Sequence, residues 1–193
     1  TSDDTADAID ENSGSGQVVY TATADDSADV SDGVTFSLAA GSDAELSIDA
    51  ETGAVTLNAD PDADTQAEYS FTVVATDAAG NESAAQSVTL DVNDLDEVAA
   101  AITSGDSAAA IDENSGSGQV IYTATADDSA DVSDGVTFSL AAGSDAALSI
   151  DAETGAVTLN ADPDHEAQSE YSFTVIATDA AGNESAGQSV TFD

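Results

Sequence analysis

No lysine and no arginine occur in these 193 residues, against 40 aspartates and glutamates and a single histidine, for a formal charge of −40. A chain with no cationic side chain cannot neutralise phosphates, which excludes nucleic-acid binding. It has no basic stripe to meet an anionic bilayer. No apolar run approaches the ~20 residues of a spanning helix, so direct membrane insertion is not expected. The absence of cysteine removes both a disulfide framework and a thiolate metal site. Acyl or phosphoryl transfer built on an arginine or lysine clamp is excluded as well. No methionine opens the chain and no signal peptide is present, which reads as a fragment of a longer protein whose targeting information lies elsewhere.

Strong acidity with few aromatics is one signature of disorder. Here 41% of the residues are hydrophobic and their placement is periodic, which argues for a folded chain. Thr1 to Asp91 aligns with Thr103 to Asp193 at a fixed offset of 102 residues, and 79 of the 91 pairs are identical. A unit of this length is long enough to hold its own core. The expectation is two domains in tandem, residues 1–95 and 96–193, drawn from a longer array of similar repeats.

Within each unit the hydrophobic pattern has period two. Val18, Tyr20 and Ala22 alternate with Val19, Thr21 and Thr23, and Val34, Phe36 and Leu38 alternate with Thr35 and Ser37. Leu46 and Ile48, then Val55 and Leu57, follow. Tyr69, Phe71, Val73 and Ala75 form the longest stripe, and Val88, Leu90 and Val92 close the unit. Such alternation turns one face of each strand inward. Turn clusters at Ser13–Gly16, Asp32-Gly33, Ala40–Ser42, Glu51–Gly53, Asp60–Asp62 and Gly80-Asn81 separate the strands. Six or seven short antiparallel strands per unit predict an all-β fold, a β-sandwich in each repeat. Without a cysteine pair or tryptophan, an antibody-type domain is disfavoured.

Most of the acids fall in the turns, which concentrates them at the ends of each sandwich. Like charges that dense destabilise a compact state, and no lysine or arginine offsets them. A hard divalent cation with oxygen ligands does, and Ca2+ suits flexible clusters of carboxylates and carbonyls better than Mg2+. A solvated acidic coat, as in a salt-loving protein, explains the charge but not its clustering.

Five clusters recur in a fixed order. Ile9-Asp10-Glu11-Asn12 precedes the first long strand, and Ala22 to Asp26 ends it. Pro61-Asp62-Ala63-Asp64, repeated as Pro163-Asp164-His165-Glu166, precedes the Tyr69 strand, and Ala75 to Gly80 ends that strand. Asp91-Val92-Asn93-Asp94 closes the unit. This set resembles the cadherin repeat, with its Pro-Glu-Asn start, Asp-Ala-Asp and Asp-Arg-Glu motifs, Ala-x-Asp-x-Gly and Asp-x-Asn-Asp linker. The resemblance covers nearly the whole chain, twice. It implies two Greek-key sandwiches, cadherin- or immunoglobulin-like, joined end to end by a short Ca2+-binding linker that holds about three ions.

Carried over by position, the resemblance implies ligands Glu11, Asp62 and Asp64 from the first unit. The linker adds Asn93 and Asp94, with backbone carbonyls near Val92 and Leu95. Asp127, Asp128 and Asp179 come from the second unit. The same motifs in their other copies bring in Asp26 and Asp77, and Glu113, Asp164 and Glu166. Two departures stand out. Ala126-Asp127-Asp128 lacks the first aspartate of Asp-Ala-Asp, and Leu95 and Glu97 replace the linker's second asparagine and its proline. Asp96 is a candidate to compensate. Without metal these carboxylates would repel one another, and one pair about 5 Å apart at an effective dielectric of ~20 is worth about 3 kcal/mol.

Other readings of the same residues fit less well. Asp60, Asp62 and Asp64 begin like an EF-hand loop, but Thr65 and Phe71 stand where its glycine and final glutamate belong. The glycine-rich repeat of a Ca2+ β-roll is missing. Asp49 and Glu51, with Asp151 and Glu153, read as hairpin turns. Asp29 and Asp32 read as loop charges, with an extra Ca2+ site as the alternative. Catalysis has little support: His165 is the sole histidine and its counterpart is Ala63, no nucleophile elbow occurs, and all nine Tyr and Phe lie on expected core strands.

The functional expectation is a non-enzymatic extender region of a large bacterial surface adhesin, similar to those of the RTX type and to biofilm adhesins. It would be a monomeric rod stiffened by Ca2+, with neighbouring identical repeats as its partners in the same chain, projecting a distal ligand-binding domain from the cell. The alternative is a Ca2+-dependent adhesive module making homophilic or glycan contacts.

Overall fold

A computed structural model of the chain describes residues 3–27, 33–132 and 135–193. Asp29 and Asp32 lie outside the described residues. The chain divides into two compact units, Thr1–Leu95 and Asp96–Asp193.

The first unit has β1 (Ile9–Asp10), β2 (Gln17–Thr21), β3 (Val34–Leu38), β4 (Leu46–Ile48), β5 (Ala54–Leu57), β6 (Glu68–Asp77) and β7 (Gln86–Asn93). They form two sheets, ordered β1-β7-β6-β3 and β2-β5-β4. The chain leaves the second sheet after β2, returns to it for β4 and β5, and leaves again for β6, a Greek-key path. Apart from β2, the strands present alternate residues inward, and the two inner faces meet in one core. Val55, Leu57, Phe71, Val88 and Leu90 are its most deeply buried members. The ring of Tyr20 meets Phe71 edge-on at 5.5 Å, and its hydroxyl donates to the Asp3 carbonyl at 2.6 Å. That arrangement satisfies the polar tip of a half-buried aromatic.

The second unit repeats this plan with β8 (Ala101–Ile102), β9 (Gln119–Thr123), β10 (Ala126–Asp127), β11 (Val136–Leu140), β12 (Leu148–Ile150), β13 (Ala156–Leu159), β14 (Tyr171–Asp179) and β15 (Gln188–Phe192). Its sheets are β11-β14-β15 and β12-β13-β9, with β8 and β10 as a short antiparallel pair. Leu90 is replaced here by Phe192, which stacks on Tyr171 at 5.1 Å and fills the same end of the core with a ring.

Two expectations need correction. The strands are not all antiparallel: β1 pairs with β7 in parallel, Ile9 opposite Val92 and Asp10 opposite Asn93. That pairing carries Glu11 to the end of β7, beside the linker. The inward set of β2 also differs. A β-bulge shifts the register between Val18 and Tyr20, so Val18 stays 61% exposed while Val19 and Tyr20 both pack on the core. The second unit repeats the bulge, with Val120 60% exposed and Ile121 and Tyr122 buried. An extra residue in one strand moves the following side chains to the other face.

Many turn carboxylates have local partners. Asp49 Oδ1 accepts from the Thr52 amide at 2.8 Å, the Thr52 hydroxyl at 2.8 Å and the Glu51 amide at 3.0 Å, and Asp151 repeats the pattern. Asp60 and Asp162 accept from the amides of Gly14 and Gly116, each at 2.8 Å. These acids act as caps of turns, the role expected of Asp beside free amides.

Candidate metal centre

A second set of carboxylates gathers at the ends of each unit. In the first unit Glu11 is 2% exposed and closes the end that bears the linker. Its Oε1 accepts from the Leu95 amide at 2.6 Å and its Oε2 from the Ala63 amide at 2.8 Å. Ala63 lies between Asp62 and Asp64, and Leu95 follows Asp94. Glu11 therefore draws the elements that carry Asp62, Asp64 and Asp94 to one end of the unit. Those three side chains are exposed. Asp62 caps Thr65 with both oxygens, each at 3.0 Å. The Asn93 amide donates to Asp10 Oδ1 at 2.9 Å and its carbonyl accepts from Glu11 N–H. Asn12 holds the turn with φ of 55°, a left-handed conformation that asparagine tolerates. The Leu95 and Ala63 amides hold the Glu11 carboxyl below its ordinary value, against burial and the charge of Asp62. A buried carboxylate kept ionised in this way is a fixed negative charge beside exposed acids.

The second unit shows the clearest geometry. Asp96, Asp128 and Asp179 each direct a carboxylate oxygen into one group, all within 4.8 Å of one another. They come from the start of the unit, the turn after β10 and the end of β14. Asp179 is 5% exposed. Its Oδ1 accepts from the amides of Gly182 at 2.7 Å and Asn183 at 2.8 Å. Its Oδ2 is buried with no hydrogen-bond partner, as are Asp96 Oδ2 and Asp128 Oδ2. Burial pushes the Asp96 carboxyl up, and the charges of Asp179, Asp128 and Asp131 push it further, against the Val98 amide. Burial pushes Asp179 up too, but the amide and side chain of Asn183 and the Gly182 amide together outweigh it and hold its carboxyl below the ordinary value. Buried oxygens without partners are costly. Three carboxylates, each keeping such an oxygen, gather here in a chain with no lysine or arginine, an all-oxygen donor set of the kind a hard cation takes.

The remaining sequence-derived residues divide. Asp127 is not drawn into this group: the alternation of β10 turns it outward, where it caps the Ser129 amide at 3.1 Å. Asp96, which the cadherin pattern does not supply, takes part. Asp131 approaches as well, accepting from the Glu97 amide at 3.2 Å. No motif signalled Asp131, because its place depends on how the loop after β10 curls. Glu113, Asp164 and Glu166 form a further group within 4.8 Å at the other end of the unit, all exposed. His165, between two of them, is exposed. In the first unit Asp26 Oδ2 is again buried without a partner. Asp77 there is engaged at both oxygens by Asn81, from the amide at 2.8 Å and the side chain at 2.7 Å.

A sequence profile of the cadherin domain matches residues 7–93 and again 107–193. No curated protein sequence matches the chain. Among solved structures, human protocadherin-24 EC1-2 superposes with a TM-score of 0.74 at 18% identity, covering 98% of this chain and 93% of that one. Mouse cadherin-23 EC22-24 gives 0.70 at 22% identity, covering 97% and 62%. Drosophila N-cadherin EC1-4 gives 0.70 at 22%, covering 97% and 46%. The chain thus spans under two thirds of the mouse and fly fragments. At these identities the likeness establishes the fold.

Proposed function

We propose, from the premise that this chain belongs to the cadherin domain family in both of its repeats, that it is a pair of extender repeats stiffened by Ca2+. Cadherin domains are extracellular, adhesion-type modules without catalytic activity, and the chain shares their tandem arrangement. The finer reading is a stretch of a large secreted bacterial adhesin of the RTX type, at the cell surface, holding a distal binding domain outward. Its support is compositional: near-identical copies suit a spacer, and a chain this acidic suits a Ca2+-rich exterior better than a Ca2+-poor cytosol.

The observation that carries the reading is the gathering of Asp96, Asp128 and Asp179, each with a buried, unpartnered oxygen. In the mechanism proposed, the first unit and linker contribute Glu11, Asp62, Asp64, Asn93 and Asp94. The second contributes Asp96, Asp128 and Asp179. Ca2+ supplies the positive charge that neutralises these groups. Glu11 fixes the linker against the Pro61–Asp64 turn, and Asn183 fixes the linker backbone by donating to the Asp96 carbonyl at 2.9 Å. Ions bound to groups held in this way turn a flexible connection into a fixed one.

Calorimetric titration tests the claim. Ca2+ should bind at micromolar to millimolar concentration and raise the thermal midpoint by linkage, with Mg2+ much weaker. A chain that takes up no Ca2+ at millimolar concentration, with an unchanged midpoint, contradicts the proposal.

A further inference from the structure

The cadherin pattern places a carboxylate where this chain has Ala126, so the metal centre at the start of the second unit lacks one of its acids. We infer that Asp96 takes its place, and that Asp96, Asp128 and Asp179 make a cation site complete within residues 96–193. This rests on the reading of the acidic ends as Ca2+ sites and assigns the ligands of one of them.

Three observations support the assignment. Asp96 keeps a buried oxygen with no partner, and its carboxylate has an oxygen within 4.8 Å of carboxylate oxygens of Asp128 and Asp179. Asp179, 95% buried, belongs to the same group and keeps its own Oδ2 without a partner. Asn183, whose backbone amide donates to Asp179 Oδ1 at 2.8 Å, also donates from its side chain to the Asp96 carbonyl at 2.9 Å. Asn183 is thus a positioning residue: it holds the backbone of Asp96 beside the end of β14 that carries Asp179. Three carboxylates give a formal −3 for a divalent ion, and the shared pull on Asp96 and Asp179 binds the linker start to the end of β14. The Val98 amide at 3.2 Å and the Glu97 amide to Asp131 at 3.2 Å hold the segment from both sides. By this account residues 96–98 move with the second unit, and the point of flexion in the linker lies before Asp96.

The test follows backbone amide NMR signals of the full chain during Ca2+ titration. Gly182, Asn183 and Val98 report the proposed site, and Ala63 and Leu95 report the first unit. Asp96→Asn keeps the shape and removes the charge. It should raise the Ca2+ concentration needed to shift Gly182 and Asn183 at least about tenfold, leaving the response of Ala63 unchanged. Adding Ala126→Asp to Asp96→Asn should recover most of the loss. If Gly182 and Asn183 respond to Ca2+ equally well in Asp96→Asn, Asp96 is not a ligand and this inference falls, while the Ca2+ reading stands. If the double variant stays as weak as Asp96→Asn, the replacement of position 126 by position 96 is overturned. If no amide of the unaltered chain responds to millimolar Ca2+, the inference and the reading beneath it fail together.

Discussion

At Gly53, φ is +72° and an added Cβ would lie 2.5 Å from the Ala22 carbonyl oxygen. The Ala22 amide in turn donates to the Gly53 carbonyl at 2.9 Å, so the two backbones cannot separate without losing a hydrogen bond. Gly53→Ala should therefore destabilise the first unit by more than about 1 kcal/mol, read by urea unfolding in Ca2+. Gly187→Ala is the control: its Cβ would lie close to the Thr174 methyl, which can give way, and at ordinary contact distance from the Val175 carbonyl, and the first unit already carries Ala85 at this position. Equal costs at the two sites would contradict the account. Asp49 gives a pH test. The Thr52 amide, the Thr52 hydroxyl and the Glu51 amide hold its carboxyl below the ordinary 3.8. A depressed value in the folded state means stability that is present above 3.8 and is lost as pH falls through the lower folded value. The thermal midpoint of Asp49→Ala should lie below that of the unaltered chain at neutral pH, and the gap should close in acid. A gap that persists at pH 2 would show that the charge is not what caps the turn. Ala126 as a departure from pattern is legible in one line of sequence. That Asp96 meets Asp179, 83 positions later, is not, because only the fold brings them together.

At the scale of strands, period-two alternation marks nearly every element, from Val34–Leu38 to Gln188–Phe192. It does not mark where a register shifts. Val18 and Val19 are equally apolar, and nothing in their spacing says which faces in. The bulge decides, and it does so in both copies. The parallel pairing of β1 is hidden for a similar reason: two residues are too few to show a pattern. The bulge can be checked by a pair of substitutions in one strand. Val120→Ala should change stability by less than about 0.5 kcal/mol, whereas Ile121→Ala should cost about 2–5 kcal/mol. The reverse order would put Val120 in the core and remove the bulge. Each set of buried side chains belongs to one unit alone, so the loss at Ile121 should leave the amide spectrum of residues 3–95 in place.

For the whole molecule, the internal repeat by itself announces two domains, and the order of the acidic motifs points to the family. What the sequence leaves open is which acids hold turns and which stay available to a cation. Of the aspartates in turns, Asp49, Asp60, Asp151 and Asp162 are taken up by backbone amides. Asp96, Asp128 and Asp179 keep oxygens without partners. Composition treats all of them alike, and only burial separates them. The central claim is that the acidic ends of the units, together with Asp94 in the linker, make the connection between repeats depend on Ca2+. Asp94, in the linker, belongs to that connection and to neither core, so Asp94→Ala should leave both units folded by amide NMR while weakening the connection. Small-angle X-ray scattering of the two-repeat chain, first with excess chelator and then with millimolar Ca2+, tests the claim most directly. The account predicts a broad distribution of dimensions in chelator that narrows to a single extended particle in Ca2+, with Asp94→Ala remaining broad in both. Scattering profiles that superpose with and without Ca2+ would contradict it.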